Sequence, residues 1–288
     1  MKRVTIIGCG KVGKTLGRLW HRNGVFAIGE ILNRSPESAA DAAAFIGAGT
    51  PVADFSELGP ADVFLIAAAD GALASCAESL GRTGLVSGGS VVCHLSGALP
   101  SSVLLPAVIS GGAVASVHPV RSFADPAVSA ESFAGTWCGM EADPRALPLL
   151  EEAFAAIGGM PFSIDPQYKT LYHCGSVMVC NYLNALIEAG LRAYGKGGLS
   201  RETALQVMEP LVRGTLDNVF RVGPAEALTG PISRGDAEVV GRQIAALDGW
   251  EPELGRLYRD LGMVALELAA ERQGAPELEA VREVLSTS

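Results

Sequence analysis

Charged residues, paired cysteines and long apolar runs are all scarce in this chain of 288 residues. Charged side chains make up only 18% of it, and the formal net charge is −9. Since no basic stripe is present to meet phosphates, a nucleic-acid partner is not expected. No segment approaches the roughly 18 uninterrupted apolar residues of a membrane span. The six cysteines include no CxxC pair and the four histidines are scattered, so we expect no metal site.

The sequence is instead rich in apolar residues, which make up 49% of the chain and allow a large core. A length of 288 residues suits two domains better than one. The first apolar segment begins directly after Arg3 and no export signal is visible, so we expect a cytoplasmic protein. In that reducing compartment the cysteines would be free, mostly buried thiols.

The most specific motif follows the first apolar segment and leads into a helical pattern. It is the glycine-rich hexapeptide Gly8-Cys9-Gly10-Lys11-Val12-Gly13. In such a fingerprint the first glycine makes a tight turn, the second lets a pyrophosphate approach the backbone, and the third lets the helix pack closely on the sheet. The anion would then meet free N–H groups at the helix N-terminus. The motif predicts a dinucleotide site, and the alternative is a glycine turn without a nucleotide.

The end of the second predicted strand indicates which dinucleotide binds. An NAD site usually offers Asp or Glu to the ribose hydroxyls about 20 residues after the fingerprint. This chain has Asn33, Arg34 and Ser35 there. A guanidinium and a hydroxyl suit a 2′-phosphate, so we predict NADP as the cofactor, with an NAD-preferring site as the alternative. Ala69 and Asp70, after a later strand, complete the predicted cofactor contacts.

Apolar strands alternate with helical patterns up to a helix-start signal at Asp165-Pro166, and no convincing strand follows it. The further predicted strands cover residues 51–52, 62–69, 90–94, 113–117, 136–141 and 161–164. The predicted helices of the second half cover residues 166–195, 199–222, 234–247 and 250–273. The predicted fold class is therefore α/β, with an N-terminal Rossmann domain built on a largely parallel sheet (residues 1–165) and a C-terminal all-helical domain (residues 166–288).

In an open parallel sheet, ligands bind beyond the carboxyl ends of the strands. Ser96 and His118 follow neighbouring predicted strands, so their side chains could face one cleft. A hydroxyl beside an imidazole can move the proton that accompanies hydride transfer to a carbonyl or imine. The alternatives are a turn or helix cap for Ser96 and a hydrogen-bonded structural role for His118.

A second group of candidates lies on the helix predicted after Asp165. Lys169, His173, Val177 and Asn181 are spaced by four and would form one stripe. Lys169 could protonate a developing oxyanion or amine, while His173 and Asn181 orient the substrate. Alternatively, Lys169 extends to solvent and Asn181 bonds across a helix interface.

Arg234 stands in a Gly/Pro turn just before a predicted helix. Its guanidinium could bind a substrate carboxylate, within its own chain or across a dimer, or it could be a plain surface charge. The helices of the second half are apolar enough to bury more than one face, which favours a homodimer over a monomer.

Four segments taken together resemble a known group: HLSGAL at 94–99, SVHPVRSFADP at 116–126, the helix from Lys169 to Asn181, and ALTGPISRGD at 227–236. They are similar to bacterial Rossmann-like proteins with a C-terminal domain of unknown function, a group labelled as NADP oxidoreductases. The resemblance implies the fold and the cofactor, and it gives no substrate.

More distantly, the layout is similar to the 6-phosphogluconate dehydrogenase superfamily, which includes ketopantoate, hydroxyacid, pyrroline-5-carboxylate and prephenate enzymes. Lys169 matches the lysine of the hydroxyacid and ketopantoate enzymes, but His173 stands where their asparagine follows and Asn181 comes two turns later. Ser96 and His118-Pro119 look like the serine and His-Pro pair of prephenate dehydrogenases.

These observations together predict an NADPH-dependent oxidoreductase that acts on a small-molecule substrate. It would reduce a carboxylated carbonyl or imine compound, for example a ketopantoate-type 2-keto acid. Lys169 would be the proton donor, with His118 and Ser96 assisting. The alternative function is that of a non-catalytic NADP-binding sensor or interaction protein.

Overall fold

The computed structural model describes residues 1–273 and 278–287. The chain divides into two compact units, Met1–Asn181 and Tyr182–Ser288. The division predicted after residue 165 falls earlier than this one. The segment that follows residue 165 belongs to the first unit because its Lys169 is buried there against strand residues.

The described residues of the first unit form one eight-stranded sheet. Its strands are β1 (Arg3–Ile7), β2 (Ala27–Leu32), β3 (Thr50–Val52), β4 (Val63–Ile66), β5 (Val91–His94), β6 (Ala113–Pro119), β7 (Trp137–Ala142) and β8 (Met160–Ser163). Their order is β3-β2-β1-β4-β5-β6-β7-β8, and every neighbouring pair is parallel except β6 with β7. The predicted, largely parallel sheet is confirmed. The strand order reverses between β1 and β4, which is where open α/β sheets bind ligands.

Helices cover both faces of this sheet. They are α1 (Lys11–Arg22), α2 (Pro36–Ile46), α3 (Asp70–Thr83), α4 (Pro126–Glu131), α5 (Leu147–Ala155) and α6 (Lys169–Ser176), which continues into a π-helical turn, Val177–Asn181. The central strands are apolar on both sides because each face packs on helices, so Val63 to Ile66 are all buried. Helix α1 contributes Leu16 and Trp20, both almost fully buried. Burying each such side chain contributes about 1.5–3 kcal/mol.

The described residues of the second unit are helical, as predicted. The helices are α7 (Tyr182–Lys196), α8 (Arg201–Val222), α9 (Pro224–Ala227), α10 (Ala237–Asp248), α11 (Pro252–Gln273) and α12 (Glu279–Ser286), of which α9 and α12 were not predicted. Two of the gaps between the predicted helices contain Gly198 and Gly223. These residues have φ of +96° and +86°, a backbone region that favours glycine and ends a helix. None of the helices in the described ranges is long and apolar enough to cross a membrane.

Candidate cofactor and active site

The three fingerprint glycines have the geometry that the motif predicts. Gly8 has a φ of +78°, and a Cβ on it would lie 2.7 Å from the backbone of Ala68. At Gly13 an added Cβ would lie 3.2 Å from Ala67 Cβ, so this glycine lets α1 lie close to the sheet. A Cβ on Gly10 would meet no atom within 4 Å. The open side of Gly10 is therefore a space that a phosphate group fits.

The N-terminus of α1 faces that space with positive charge. Gly10 is the N-cap residue and supplies no side-chain acceptor, and the first turn contains no acidic residue. The free N–H groups of a helix N-terminus carry a partial positive charge, and the exposed Lys11 adds to it. An anion at this helix end would stabilise it.

At the end of β2, the three predicted cofactor residues divide into two roles. Asn33 Oδ1 accepts the Cys9 N–H at 2.6 Å and Asn33 Nδ2 donates to Ser38 O at 2.9 Å, so Asn33 joins the glycine loop to the start of α2. Ser35 Oγ accepts the Ser38 N–H and caps α2. Arg34 is exposed and makes no hydrogen bond or ion pair with any described residue. Asn33 and Ser35 stay predicted cofactor residues whose side chains also hold the loop together, and Arg34 is the side chain of the three that is free for a 2′-phosphate.

Ser96 occupies a position near the cofactor loops, but its hydroxyl has a partner for its proton and for both of its lone pairs. Ser96 Oγ donates to Asp70 Oδ2 at 2.9 Å and accepts the N–H groups of Ala98 and Leu99 at 3.1 and 3.0 Å. The alternative interpretation of Ser96, a turn cap, therefore describes the structure. Direct assistance of a substrate by this hydroxyl does not fit. Its bonds instead tie the loop after β5 to Asp70, the first residue of α3 and a neighbour of the exposed Ala69.

His94 is enclosed beneath this loop. Its Nδ1 accepts the Ser96 N–H at 3.1 Å, and its Nε2 donates to the carbonyl of Pro100 at 3.2 Å. These partners require a neutral ring with its proton on Nε2. Burial, reinforced by Lys169, lowers the pKa of His94 to about 4, which agrees with that neutral form.

Lys169 forms a buried ion pair instead of facing a cleft. Its Nζ donates to Ser116 Oγ and lies 3.4 Å from Glu141 Oε1, and the two charged side chains are 1% and 6% exposed. Ser116 and Glu141 stand opposite each other in the antiparallel pair of β6 and β7, and Ser101 Oγ donates to Glu141 Oε2 at 2.7 Å. Burial lowers the pKa of Lys169, while Glu141 acts in the opposite direction. Neither a direct proton donor nor a side chain extending to solvent fits this position.

Beside this pair, His118 and two residues of α6 form a polar cluster. His118 Nδ1 lies 2.9 Å from Tyr172 Oη, and the His118 and His173 rings are 5.5 Å apart at their centroids. A Cβ on Gly97 would lie 2.9 Å from His118 Nε2 and collide with His173 Nδ1, so both imidazoles converge on the backbone of Gly97. His173 Nδ1 is buried and has no hydrogen-bond partner among the described residues.

Burial is the main influence on ionisation in this cluster. It lowers the pKa of His118 to about 4, with His173 and Lys169 acting in the same direction and Asp70 opposing them. Burial also raises the pKa of Tyr172 to about 12. At neutral pH the His118 imidazole and the Tyr172 phenol are therefore both uncharged, and hydrogen bonding dominates their chemistry.

The predicted stripe holds for its first turn and then fails. Lys169 and His173 both reach the strand ends, but α6 ends at Ser176 and a π-helical turn follows. A π-turn has more residues per turn than an α-helix, so it rotates Asn181 off the stripe. Asn181 is exposed, and its contact with the substrate stays a prediction. Tyr172 was missed, although it lies three residues after Lys169 on the same helix face.

Arg234 lies in the second unit, in the turn between α9 and α10. Its side chain is exposed and makes no hydrogen bond or ion pair with any described residue, while its backbone N–H donates to the carbonyls of Gly230 and Pro231. Asp236 caps α10 by accepting the Val239 N–H at 3.2 Å. Within the described ranges, no three His, Cys, Asp or Glu side chains come together as a metal site would require.

Comparisons with known families agree with this architecture. Residues 1–119 match the Rossmann-like domain family, and residues 136–264 match a domain of unknown function, DUF2520. The two matches are the pair of domains that the resemblance of the chain's four segments implied. No curated protein matches the chain.

Solved structures share the fold over nearly the whole chain. A protein described as a "putative NADP oxidoreductase" from Bacteroides fragilis has a TM-score of 0.73 and 23% identity, covering 92% of this chain and 98% of that one. A protein from Thermotoga maritima has a TM-score of 0.74 and 26% identity, covering 94% and 99%. The reductive aminase from Aspergillus terreus, in complex with NADPH and ethyl levulinate, has a TM-score of 0.63 and 14% identity, covering 98% and 99%.

Proposed function

We propose that this protein is an NADP-dependent oxidoreductase that reduces a small carbonyl or imine compound. The observation that carries the proposal is the open side of Gly10 at the uncapped N-terminus of α1, followed along the chain by an exposed Arg34 at the end of β2. The names of the similar structures support it, since one is described as a "putative NADP oxidoreductase" and another is a reductive aminase in complex with NADPH.

The residues present fit the cofactor without rearrangement. The backbone at Gly10 and the first N–H groups of α1 would hold the pyrophosphate, and Arg34 would hold the 2′-phosphate. When bound, NADPH supplies the hydride for the reduction. Cys9 in the glycine loop supplies no acid or base, because it is buried and burial raises the pKa of its thiol to about 12.

His118 is the group that would contact the substrate. Its Nε2 makes no hydrogen bond with the described residues and lies beside Gly97, at the carboxyl ends of β5 and β6. A neutral imidazole there can donate a hydrogen bond to a carbonyl oxygen or imine nitrogen and stabilise the developing charge. Lys169 would position the strand ends without contacting substrate.

Replacing Arg34 tests the cofactor. Loss of a hydrogen-bonded contact to a charged group costs about 1.5–3 kcal/mol, so Arg34→Ala should weaken NADPH binding about 10- to 100-fold. NADH binding should change less than about threefold. Isothermal titration calorimetry measures both, and Arg82→Ala, another exposed arginine, is the matched control. Equal losses for NADPH and NADH would exclude the assigned 2′-phosphate contact.

A substrate screen separates the enzyme from a cofactor sensor. The wild-type protein with NADPH is offered ketopantoate, other small 2-keto acids and cyclic imino acids, and cofactor oxidation is followed by absorbance. Turnover that His118→Gln reduces by about 10²-fold supports the proposed role of the imidazole. Tight NADPH binding with no oxidation across the panel would indicate the non-catalytic sensor instead.

The exposed apolar surface of the second unit supports a homodimer. Helix α8 has 22 residues, yet its buried ones are Ala204 and Met208 near its start. Eight large apolar side chains of α7 and α8 are more than a third exposed: Tyr182, Leu186, Leu205, Val207, Leu211, Leu216, Phe220 and Val222. Surface on this scale is of the order that a stable interface buries, ~800 Å² per partner. The occupant we assign is a second copy of this chain.

Light scattering after size exclusion tests this assignment. The wild type should have twice the mass of one chain, and Phe220→Glu should shift it to the monomer because Phe220 is 87% exposed in one chain. Ile109→Glu is the matched control, since Ile109 is 84% exposed but lies in the first unit. A wild-type monomer at micromolar concentration would refute the dimer.

A further inference from the structure

Tyr172 and His118 form a short hydrogen-bonded chain that ends beside Gly97. The bond joins Tyr172 Oη to His118 Nδ1 at 2.9 Å, and the two rings are nearly perpendicular, with centroids 5.6 Å apart. Two glycines make room for it. Gly97 lies against His118 Nε2, and a Cβ on Gly139, which faces His118 across the pair of β6 and β7, would lie 2.9 Å from Tyr172 Oη.

The bond between the phenol and the imidazole can run in either direction. Among the described residues His118 Nδ1 is the hydrogen-bond partner of Tyr172 Oη, and the phenol donates to it when that nitrogen carries no proton. A neutral imidazole that accepts at Nδ1 carries its own proton on Nε2. The proton-bearing nitrogen then points to the side of the ring where Gly97 lies.

From this geometry we propose that Tyr172 fixes His118 in the Nε2–H tautomer and resupplies its proton during reduction. This inference rests on the proposed oxidoreductase function. As the substrate carbon accepts a hydride, the C=O or C=N π electrons move to the heteroatom. The heteroatom takes the proton from Nε2, and Nδ1 takes the proton from Tyr172 Oη. To close the cycle, Nε2 takes a proton from water while Nδ1 returns its proton to the tyrosinate, so the ring ends neutral and in the Nε2–H form in which it began.

The electrostatic surroundings agree with a neutral donor. Burial is the strongest influence that disfavours an imidazolium at His118, and His173 and Lys169 act in the same direction. Asp70 acts in the opposite direction. A phenol whose pKa is raised to about 12 keeps its proton until a stronger base appears. The alkoxide or amide anion formed from the substrate is such a base, so the transfer runs downhill.

The test is the tautomer of His118, read by two-bond proton–nitrogen NMR on labelled protein at neutral pH. His118→Gln assigns the signals, and the exposed His21 serves as the internal reference. We expect the Nε2–H form in the wild type and a mixture of tautomers in Tyr172→Phe, with NADPH affinity unchanged within about threefold. An Nδ1–H ring or an imidazolium in the wild type, or an unchanged tautomer in the variant, would overturn the proposal.

NADPH binding and the tautomer of His118 are measured separately, so a failure of this inference can be distinguished from a failure of the proposed oxidoreductase function. If the wild type fails to bind NADPH, the oxidoreductase assignment fails while the tautomer result stands by itself. If NADPH binds and His118 is not in the Nε2–H form, the proton relay from Tyr172 through His118 is refuted while the oxidoreductase function stands. With a substrate from the screen, Tyr172→Phe should lower kcat by about 10²-fold and leave KM within about threefold, because Tyr172 acts through His118. An unchanged kcat would also overturn the relay.

Discussion

Removing Lys169 tests whether its ammonium is half of a buried ion pair or a donor that faces a cleft. In the structure the Lys169 and Glu141 side chains are 1% and 6% exposed, so neither charge has water in place of its partner. Lys169→Met keeps most of the apolar length of the side chain and removes the charge. The carboxylate of Glu141 would then stay buried with Ser101 as its remaining described partner.

The expected magnitude follows from that burial. Breaking a buried pair by removing one partner costs about 3–5 kcal/mol, because an uncompensated charge is left behind. The double variant Lys169→Met with Glu141→Gln should recover most of the loss, since it leaves no charge and keeps an acceptor for Ser101. A surface pair offers the matched control. Lys14→Met breaks the bond to Asp41, which is 71% exposed, and should cost less than about 1 kcal/mol.

Urea unfolding followed by tryptophan fluorescence measures these differences. Trp20 lies in the core of the first unit, so a background with Trp137→Phe and Trp250→Phe makes the signal report that unit. The reasoning is refuted if Lys169→Met unfolds within about 1 kcal/mol of its parent. The ammonium would then be solvated, as a cleft-facing proton donor requires.

Three further predictions follow from the same geometry. Gly97→Ala should destabilise the first unit by about 1–3 kcal/mol and abolish any NADPH oxidation, because its Cβ displaces the imidazoles; fluorescence and absorbance measure the two effects. Gly10→Ala should change stability by less than about 1 kcal/mol, since its Cβ meets nothing, yet calorimetry should show NADPH affinity reduced at least about tenfold. The pKa of the fully buried His94 is lowered from 6.5 to about 4. The stability that the neutral ring contributes is therefore fully present above pH 6.5 and is lost as the pH falls towards 4. His94 alone should lower the free energy of urea unfolding by about 3 kcal/mol over that range. Because the pKa of His118 is lowered to the same value, His94→Gln should reduce the pH dependence without removing it.

The cofactor half of the site could be predicted from the sequence because its determinants are local. The turn at Gly8, the open side of Gly10 and the close packing at Gly13 each depend on a glycine at a fixed offset from a strand and a helix. The alternation of apolar strands with helices likewise predicted the parallel sheet, since strands buried on both faces need apolar residues throughout.

The remaining errors concern partners that are distant in the chain. Nothing near Lys169 in the sequence points to Glu141, because the antiparallel register of β6 and β7 is what brings Ser116 and Glu141 beneath α6. The placement of Asn181 failed because a π-helical turn changes the periodicity on which the stripe was based. Spacing arguments assume a continuous α-helix, so one irregular turn moves every residue beyond it away from the predicted face.

A single physical criterion separates the ligand-contacting residues from the structural ones at these strand ends. Ser96, Asn33 and Lys169 are polar, well placed and chemically suitable, yet each has its hydrogen-bonding capacity met within the chain. By contrast His173 Nδ1 is buried with no partner among the described residues, which costs about 1–3 kcal/mol. A folded chain sustains such a cost where a ligand offsets it. His173 Nδ1 and His118 Nε2 both lie against Gly97, so these are the two nitrogens that we expect a substrate to contact.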